Sequence, residues 1–289
     1  MMYMKAGFIG AGKVGFSLGK YLAENGIQVT GYYSRSSKSA RQAAEFTSTK
    51  HFTNLTDIVK ESDTLFITVP DGAISEVWEH IRNLPIKNKN ICHCSGSIPS
   101  TAFFNAEELG ACSYSVHPLQ AFSDKYESYK SLKNTYFTIE GSKKNLSQVA
   151  DCFSNIGNPV VTIDPNVKVL YHCAAAVASN HMTALIDISA EMLEKCGFNR
   201  SDALKALSPL LTNNLNCILT QGAAKALTGP IERNDLVTVN SHLMSLREFM
   251  PETVPLYKIL SERLVNIASS KHPERNYDTM MQALKGTDI

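Results

Sequence analysis

The sequence predicts a doubly wound α/β sheet followed by an all-helical domain. A short apolar strand at residues 5–9 leads into glycines spaced as G-x-G-x-x-G and then into a helical pattern. Strand and helix patterns alternate over about the first 165 residues, as in parallel sheets covered by helices. Beyond Pro165 the strand patterns stop and long helical patterns replace them. We therefore expect an α/β domain over residues 1–164 and a helical domain over residues 165–289.

Local periodicity predicts the elements of the α/β domain in order. Apolar residues at positions 14, 18, 21 and 22 recur at helical spacing, which predicts a first amphipathic helix over Gly12–Asn25. Further helical patterns cover Ala40–Phe46, Leu55–Val59 and Ile74–Ile81. Short apolar runs rich in β-branched residues predict buried strands. These strands are Lys5–Ile9, Ile27–Tyr33, His51–Phe52, Thr64–Val69, Asn90–Cys94, Cys112–Val116, Tyr136–Ile139 and Val160–Ile163.

The second domain consists of long helical patterns. They cover Val167–Cys196, Ser201–Gln221, Asp235–Phe249 and Val254–Ser270, with Pro209 as an expected kink or break. The Ala-rich stretch Cys173–Ala190 is apolar on more than one face, which a helix on a monomer surface does not need. Its partner is either its own domain or a second chain, and we predict a homodimer through the helical domain.

Composition narrows the class of protein. The 289 residues carry a net charge of +1 and 19% charged side chains, which gives no sign of a nucleic-acid or membrane-surface partner. No apolar run reaches the roughly 18 residues of a spanning helix, and the first strand begins too early for a signal peptide. The seven cysteines contain no C-x-x-C pair, which favours reduced thiols in a cytoplasmic protein and no metal site.

The first strand–helix connection indicates a dinucleotide site. Glycines in this context permit a tight turn and close approach of the backbone to a pyrophosphate at the helix N-terminus. The alternative is a glycine-rich turn without a ligand. The residues predicted to hold the phosphates are Gly10, Ala11, Gly12, Lys13, Val14 and Gly15. The loops after two later strands should also reach the cofactor; their candidate residues are Val69, Pro70, Asp71, Ser95 and Gly96.

The end of the second strand indicates which dinucleotide binds. An NAD site places Asp or Glu about 20 residues after the glycines, but no carboxylate lies between Glu24 and Glu45. The chain has Ser34, Arg35 and Ser36 there. Hydroxyls beside a guanidinium suit the 2′-phosphate of NADP(H), although a solvated loop that caps the next helix is the alternative. We predict NADP(H).

The chain resembles a group of Rossmann-fold reductases with a helical second domain. The segments that carry the resemblance are CSGS (94–97), HPLQAF (117–122), YHCAAAVASNH (171–181) and TGPIERND (228–235). The wider group is that of the 6-phosphogluconate, 3-hydroxyisobutyrate and ketopantoate-type reductases, and pyrroline-5-carboxylate reductase is related to it. The resemblance implies that the second domain of this chain is similar to the C-terminal domain of 6-phosphogluconate dehydrogenase. More narrowly, the chain is similar to a family with a Rossmann-like domain and a C-terminal domain of formerly unknown function. Some members resemble an alternative ketopantoate reductase of pantothenate synthesis.

Candidate catalytic residues lie on the first long helix of the second domain. Lys168, His172 and Asn180 recur at multiples of four residues, and positions 172 and 180 lie about 80° apart on a regular helix. The resemblance implies a Lys four residues before the Asn, but Ala176 occupies that place. We therefore predict His172 as the proton donor, with Lys168 as second candidate and Asn180 on the substrate; a structural role for His172 is the alternative.

Two further residues complete the predicted site. Arg233 can clamp a substrate carboxylate or merely brace its loop beside Asp235, a predicted helix N-cap. His117 can touch the nicotinamide or substrate, or brace a strand end. The predicted function is NADPH-dependent reduction of a small 2-oxo acid, with ketopantoate the leading substrate. The alternatives are an imine or other 2-hydroxyacid dehydrogenase, and a non-catalytic protein that binds nicotinamide nucleotide.

Overall fold

The computed structural model describes residues 4–286, and the chain divides into two compact units, Met1–Asn180 and His181–Ile289. The sequence placed a domain boundary at residues 164 and 165, before the helix that carries Lys168. In the structure this helix packs within the first unit because Lys168 inserts its whole side chain there. The Lys168 side chain is 0% exposed and its Nζ donates to Ser115 Oγ at 2.5 Å.

Eight strands of the described residues form one sheet in the first unit. They are β1 (Lys5–Ile9), β2 (Gln28–Tyr33), β3 (Lys50–His51), β4 (Thr64–Ile67), β5 (Asn90–His93), β6 (Cys112–Pro118), β7 (Phe137–Gly141) and β8 (Val160–Thr162). Their order is β3-β2-β1-β4-β5-β6-β7-β8; β6 and β7 pair antiparallel and the other neighbours pair parallel. The predicted doubly wound sheet is confirmed, and the carboxyl ends of β1, β4, β5 and β6 meet at one edge.

Helices cover both faces of this sheet. They are α1 (Lys13–Glu24), α2 (Ser37–Thr47), α3 (Leu55–Glu61), α4 (Ile74–Ile81), α5 (Leu146–Ser154) and α6 (Lys168–Ala176). Each face has its own apolar core, one around Phe8, Phe16 and Phe66 and the other around Ile67 and Trp78. Strands buried on both faces explain why their sequences read as continuous apolar runs and not as alternating patterns.

The second unit is helical throughout its described residues. Its elements are α7 (Met182–Lys195), α8 (Arg200–Gln221), α9 (Ala223–Ala226), α10 (Leu236–Phe249), α11 (Val254–Lys271) and α12 (Asp278–Lys285). Its core gathers around Val239, Leu243 and Met280. The helical second domain is therefore confirmed. Each helix that the structure describes is too short or too polar to cross a lipid bilayer.

Two helical predictions need correction. The pattern over residues 167–196 is not one α-helix, because a π-helical turn, Val177–His181, separates α6 from α7. A π turn bonds each N–H to the carbonyl five residues back, so it advances less per residue than an α-helix and changes the phase between His172 and Asn180. The angle of about 80° expected for a regular helix therefore does not apply. Of the kink or break expected at Pro209, the break does not occur, because α8 continues through that residue.

Candidate active site

The turn between β1 and α1 is packed directly against the end of β4. Gly10 has a φ of +111°, and a Cβ there would lie 2.6 Å from the Thr68 carbonyl oxygen. The Thr68 hydroxyl in turn donates to the Gly10 carbonyl at 2.9 Å, and a Cβ at Gly15 would meet that hydroxyl. No side chain caps α1, which begins at Lys13. The first-turn N–H groups of α1 therefore suit an anion such as a pyrophosphate.

A cavity of about 260 Å³ opens beside this turn. Its lining comprises Ile9, Gly10, Ala11, Gly12, Tyr33, Ser34, Arg35, Ser39, Thr68, Val69, Pro70, Ala73, Glu76 and Val77. Ser34 and Arg35 line it as expected for a 2′-phosphate site. Ser36 does not line this cavity. Its hydroxyl accepts a hydrogen bond from the Ser39 N–H at 3.3 Å and caps α2. Ser39 lines the cavity, so the second hydroxyl beside Arg35 comes from the first turn of α2.

The loops after β4 and β5 are joined by hydrogen bonds to Asp71. One carboxylate oxygen of Asp71 accepts from Ser95 Oγ at 2.8 Å and from Ser97 Oγ at 3.2 Å. The Ser95 N–H donates to Nδ1 of His93 at 3.2 Å. Burial lowers the pKa of His93 to about 4, so its ring is neutral at pH 7 and can accept this bond. These contacts hold the two predicted cofactor loops together.

Two imidazole rings converge above Gly96, at the carboxyl edge of the sheet. A Cβ built on Gly96 would lie 2.9 Å from His117 Nε2 and closer still to His172 Nδ1. The rings are 6.3 Å apart between centroids and nearly perpendicular. His172, on α6, is exposed, whereas His117, at the end of β6, is partly buried. The structure thus brings together both predicted catalytic histidines and the predicted loop residue Gly96.

His117 is held from behind by Tyr171. The His117 Nδ1 and Tyr171 Oη atoms are 2.8 Å apart, and the two rings meet edge to face. Burial, and secondarily the nearby Lys168 cation, lower the pKa of His117 to about 3. Its imidazole is therefore neutral at pH 7, with a proton on one ring nitrogen and none on the other.

Lys168 lies inside the protein behind these rings. Its Nζ donates to Ser115 Oγ, and Ser115 faces Glu140 across the antiparallel β6–β7 pair. Glu140 is 1% exposed, and its two oxygens accept from the N–H and the hydroxyl of Ser100 at 2.8 and 2.6 Å. Burial lowers the pKa of Lys168, while the Glu140 carboxylate opposes this shift. Lys168 is thus a buried cation that is held by Ser115.

The other two predicted catalytic residues are both exposed. Asn180 is exposed in the π-helical turn at the end of the first unit. Arg233 is exposed in the second unit, on a loop whose Glu232 carbonyl accepts from Tyr277 Oη at 2.7 Å. Asp235 caps α10 by accepting the Thr238 N–H at 3.0 Å, which confirms the predicted N-cap. The loop that carries Arg233 is thus rigidly braced.

Sequence reasoning missed several residues of the site. These are Tyr171, Ser115, Thr138, Glu140, Thr68, Ser39 and Glu76. One signal was available: Tyr171 follows Lys168 by three residues, and helix positions three and four apart share a face. The strand residues gave no such signal because their neighbours come from distant parts of the chain. Across residues 4–286, no group of three or more His, Cys, Asp or Glu is placed to hold a metal ion.

Comparison with known proteins identifies the type of both parts of the chain. Residues 5–91 match a family described as NADP oxidoreductase, coenzyme F420-dependent, and residues 135–264 match a domain of unknown function, DUF2520. Among proteins with curated functions, none matches. The predicted pairing of a Rossmann domain with a domain of unknown function is confirmed, and the first match agrees with the predicted cofactor NADP(H).

Solved structures share the fold over nearly the whole chain. A Thermotoga maritima protein is 26% identical, with a TM-score of 0.74 over 92% of this chain and 99% of its own. A Bacteroides fragilis protein, provisionally described as an NADP oxidoreductase, is 24% identical (TM-score 0.71, 91% and 98%). A reductive aminase from Aspergillus terreus, solved with NADPH, is 18% identical (0.65, 95% and 100%). The chain therefore shares its fold with these structures, and its two parts match an NADP oxidoreductase family over residues 5–91 and DUF2520 over residues 135–264.

Proposed function

We propose that this chain is an NADPH-dependent reductase of a small 2-oxo acid, with 2-dehydropantoate (ketopantoate) as the leading substrate. The observation that carries the proposal is the convergence of His117 and His172 above Gly96. Reduction of a carbonyl needs donors at the oxygen, beside the cofactor. Gly96 lies on the loop after β5, at the edge where doubly wound sheets bind their ligands.

Three features support NADP(H) as the cofactor. The glycine turn packs closely against the end of β4, where a Cβ at Gly10 or Gly15 would meet Thr68, and it leads into the uncapped N-terminus of α1, which suits a pyrophosphate. Arg35 and Ser34 line the adjoining cavity, where a 2′-phosphate would be bound. The family that residues 5–91 match is one of NADP oxidoreductases, and an Aspergillus terreus relative in fold was solved with NADPH.

The two histidines would have different roles. When bound, NADPH supplies a hydride to the carbonyl carbon. His117 is neutral, so it donates a hydrogen bond to the carbonyl oxygen and does not protonate it. His172 gives its proton to that oxygen, and its exposed ring regains a proton from water. Asn180 and Arg233 remain our candidates for contacts with the substrate hydroxyl and carboxylate.

A second candidate is the reduction of an imine. The observation that favours it is Asp71, whose carboxylate is held at the same sheet edge by Ser95 and Ser97 and would attract a cationic substrate. Structures with the same fold include pyrroline carboxylate reductase and an imine reductase. A protein that binds NADPH without chemistry is the third possibility, and one assay separates all three.

The test is oxidation of NADPH with a panel of 2-oxo acids that includes ketopantoate, beside a panel of cyclic imines. We expect turnover with a 2-oxo acid. His172→Gln should lower kcat by about 10²-fold or more and leave NADPH affinity nearly intact. His80→Gln, at an exposed position of α4, is the matched control.

Lys168→Met, compared at equal folding stability, separates the two candidate donors. Because Lys168 is buried, its loss should cost less in kcat than the loss of His172. Losses below about threefold in both variants would refute catalytic roles for His172 and Lys168. Turnover of imines alone would favour the second candidate.

We further propose that the protein is a cytoplasmic homodimer formed through the helical domain. Helix α8 exposes Leu211, Leu215 and Ile218, which recur on one face of the helix. Large exposed apolar patches indicate an interaction surface. A second copy of the chain is the occupant that we predicted from the apolar stretch Cys173–Ala190.

A further inference from the structure

His117 belongs to a line of three hydrogen-bonding side chains. Thr138 stands opposite His117 in the antiparallel register of β6 and β7, so both side chains point to the face that α6 covers. Thr138 interacts with the Tyr171 side chain, because it partly offsets the rise in the Tyr171 pKa that burial causes, and the Tyr171 hydroxyl is 2.8 Å from His117 Nδ1. The other ring nitrogen of His117, Nε2, faces the space above Gly96. The line therefore runs from the buried sheet to the proposed substrate position.

The direction of these hydrogen bonds follows from acidity and basicity. A neutral imidazole carries one proton, so in the His117–Tyr171 pair only one of Nδ1 and Oη donates. A phenol O–H, with a pKa of about 10, is a stronger donor than an imidazole N–H, and the bare ring nitrogen is much more basic than a phenol oxygen. Burial raises the pKa of Tyr171 further, so its hydroxyl keeps its proton. Tyr171 therefore donates to Nδ1, and the proton of His117 is on Nε2.

We propose that Thr138, Tyr171 and His117 form a donor line that presents an N–H to the space above Gly96 and thereby selects a carbonyl oxygen over a protonated imine. A carbonyl oxygen accepts hydrogen bonds, whereas an iminium N–H has only a donor to offer. An iminium N–H that faces the His117 Nε2–H would leave two donors opposite each other with no acceptor between them. Leaving two donors without an acceptor weakens binding of the iminium. The inference deepens the proposed function and rests on it for the identity of the substrate position.

Tyr171 is a positioning residue in this scheme, because it acts through His117. Without the Tyr171 hydroxyl, the His117 proton can move to Nδ1, and Nε2 then becomes an acceptor that tolerates an iminium. The same change should follow more weakly from Thr138→Val, which keeps the shape of the side chain and removes the first donor. Tyr171 therefore decides the class of substrate.

The first experiment measures the tautomer directly. Nitrogen-15 NMR of the full-length protein with labelled histidine distinguishes the protonated from the bare ring nitrogen, and His117→Gln identifies the His117 signals. We expect a protonated Nε2 in the natural protein and a mixture of tautomers in Tyr171→Phe. Tyr136→Phe, a tyrosine that is 54% exposed, is the matched control and should leave the signals unchanged. A protonated Nδ1 in the natural protein would overturn the inference, whatever the enzyme reduces.

The second experiment measures substrate class. Tyr171→Phe should lower kcat/KM for the 2-oxo acid about tenfold and lower the preference for carbonyl over imine by at least as much. In a His117→Ala background, Tyr171→Phe should cause no further loss of kcat/KM or of substrate preference. A merely structural role of Tyr171 would not explain that result. An unchanged preference in both Tyr171→Phe and Thr138→Val overturns the inference. Turnover of neither substrate class would refute the proposed function alone, because the tautomer is read without activity.

Discussion

Replacing Gly96 by alanine would place one methyl group between the His117 and His172 rings. The new Cβ would lie 2.9 Å from His117 Nε2 and closer to His172 Nδ1, whereas carbon packs comfortably at about 3.5 Å or more. His117 is fixed by Tyr171 and by its strand, so the exposed His172 ring must move, by about 1 Å. Misplacement of a catalytic group by that amount costs about 10²-fold in rate.

Gly96→Ala should therefore separate activity from stability. We expect kcat to fall about 10²-fold, while NADPH affinity and the urea midpoint change little because His172 can swing into solvent. Steady-state kinetics, NADPH titration and urea unfolding measure these quantities. Gly72→Ala is the matched control, since a Cβ there meets nothing within 4 Å. If Gly96→Ala keeps more than about a third of the natural kcat, the space above Gly96 is not where the substrate reacts.

Three further predictions concern the cofactor, pH and assembly. Arg35→Ala should weaken NADPH binding by about tenfold to over a hundredfold and leave NADH binding unchanged. Equal losses of affinity in titrations with both cofactors would refute the 2′-phosphate site. His93 titrates near 6.5 when unfolded but near 4 when folded, so the unfolded state takes up the extra proton and stability falls as pH drops through that window. From this group alone, the free energy of unfolding in urea should be about 2 kcal/mol lower at pH 5 than at pH 7. His93→Gln should reduce that difference. An unchanged difference would contradict the inference that His93 is buried and neutral. The natural protein should be a dimer by light scattering at micromolar concentration. The Leu215→Asp variant should be a monomer, whereas Asn214→Asp on the same helix should stay a dimer. A monomeric natural protein would refute the interface.

Local patterns in the sequence were sufficient for the fold. The strand bounds agree with the predicted ones to within a few residues because each buried strand is a short apolar run between turn residues. The glycine turn was equally readable, since its spacing, the strand before it and the helix after it all lie within residues 5–24. Pro209 shows the limit of a local rule: proline disfavours a helix interior, yet α8 continues through it.

The candidate site depended on contacts that no local pattern encodes. His117 and Tyr171 are 54 residues apart, and Lys168 and Ser115 are 53 apart, so their pairing required the β6–β7 pair and α6 to be packed together. The sequence alone determined the Rossmann turn, the basic loop after β2 and the candidate histidines, because each is a matter of residue type and spacing. Only the tertiary structure decided that Lys168 is buried, that Ser36 caps a helix and that Gly96 leaves space between two imidazoles, because burial and close approach arise from packing between distant segments.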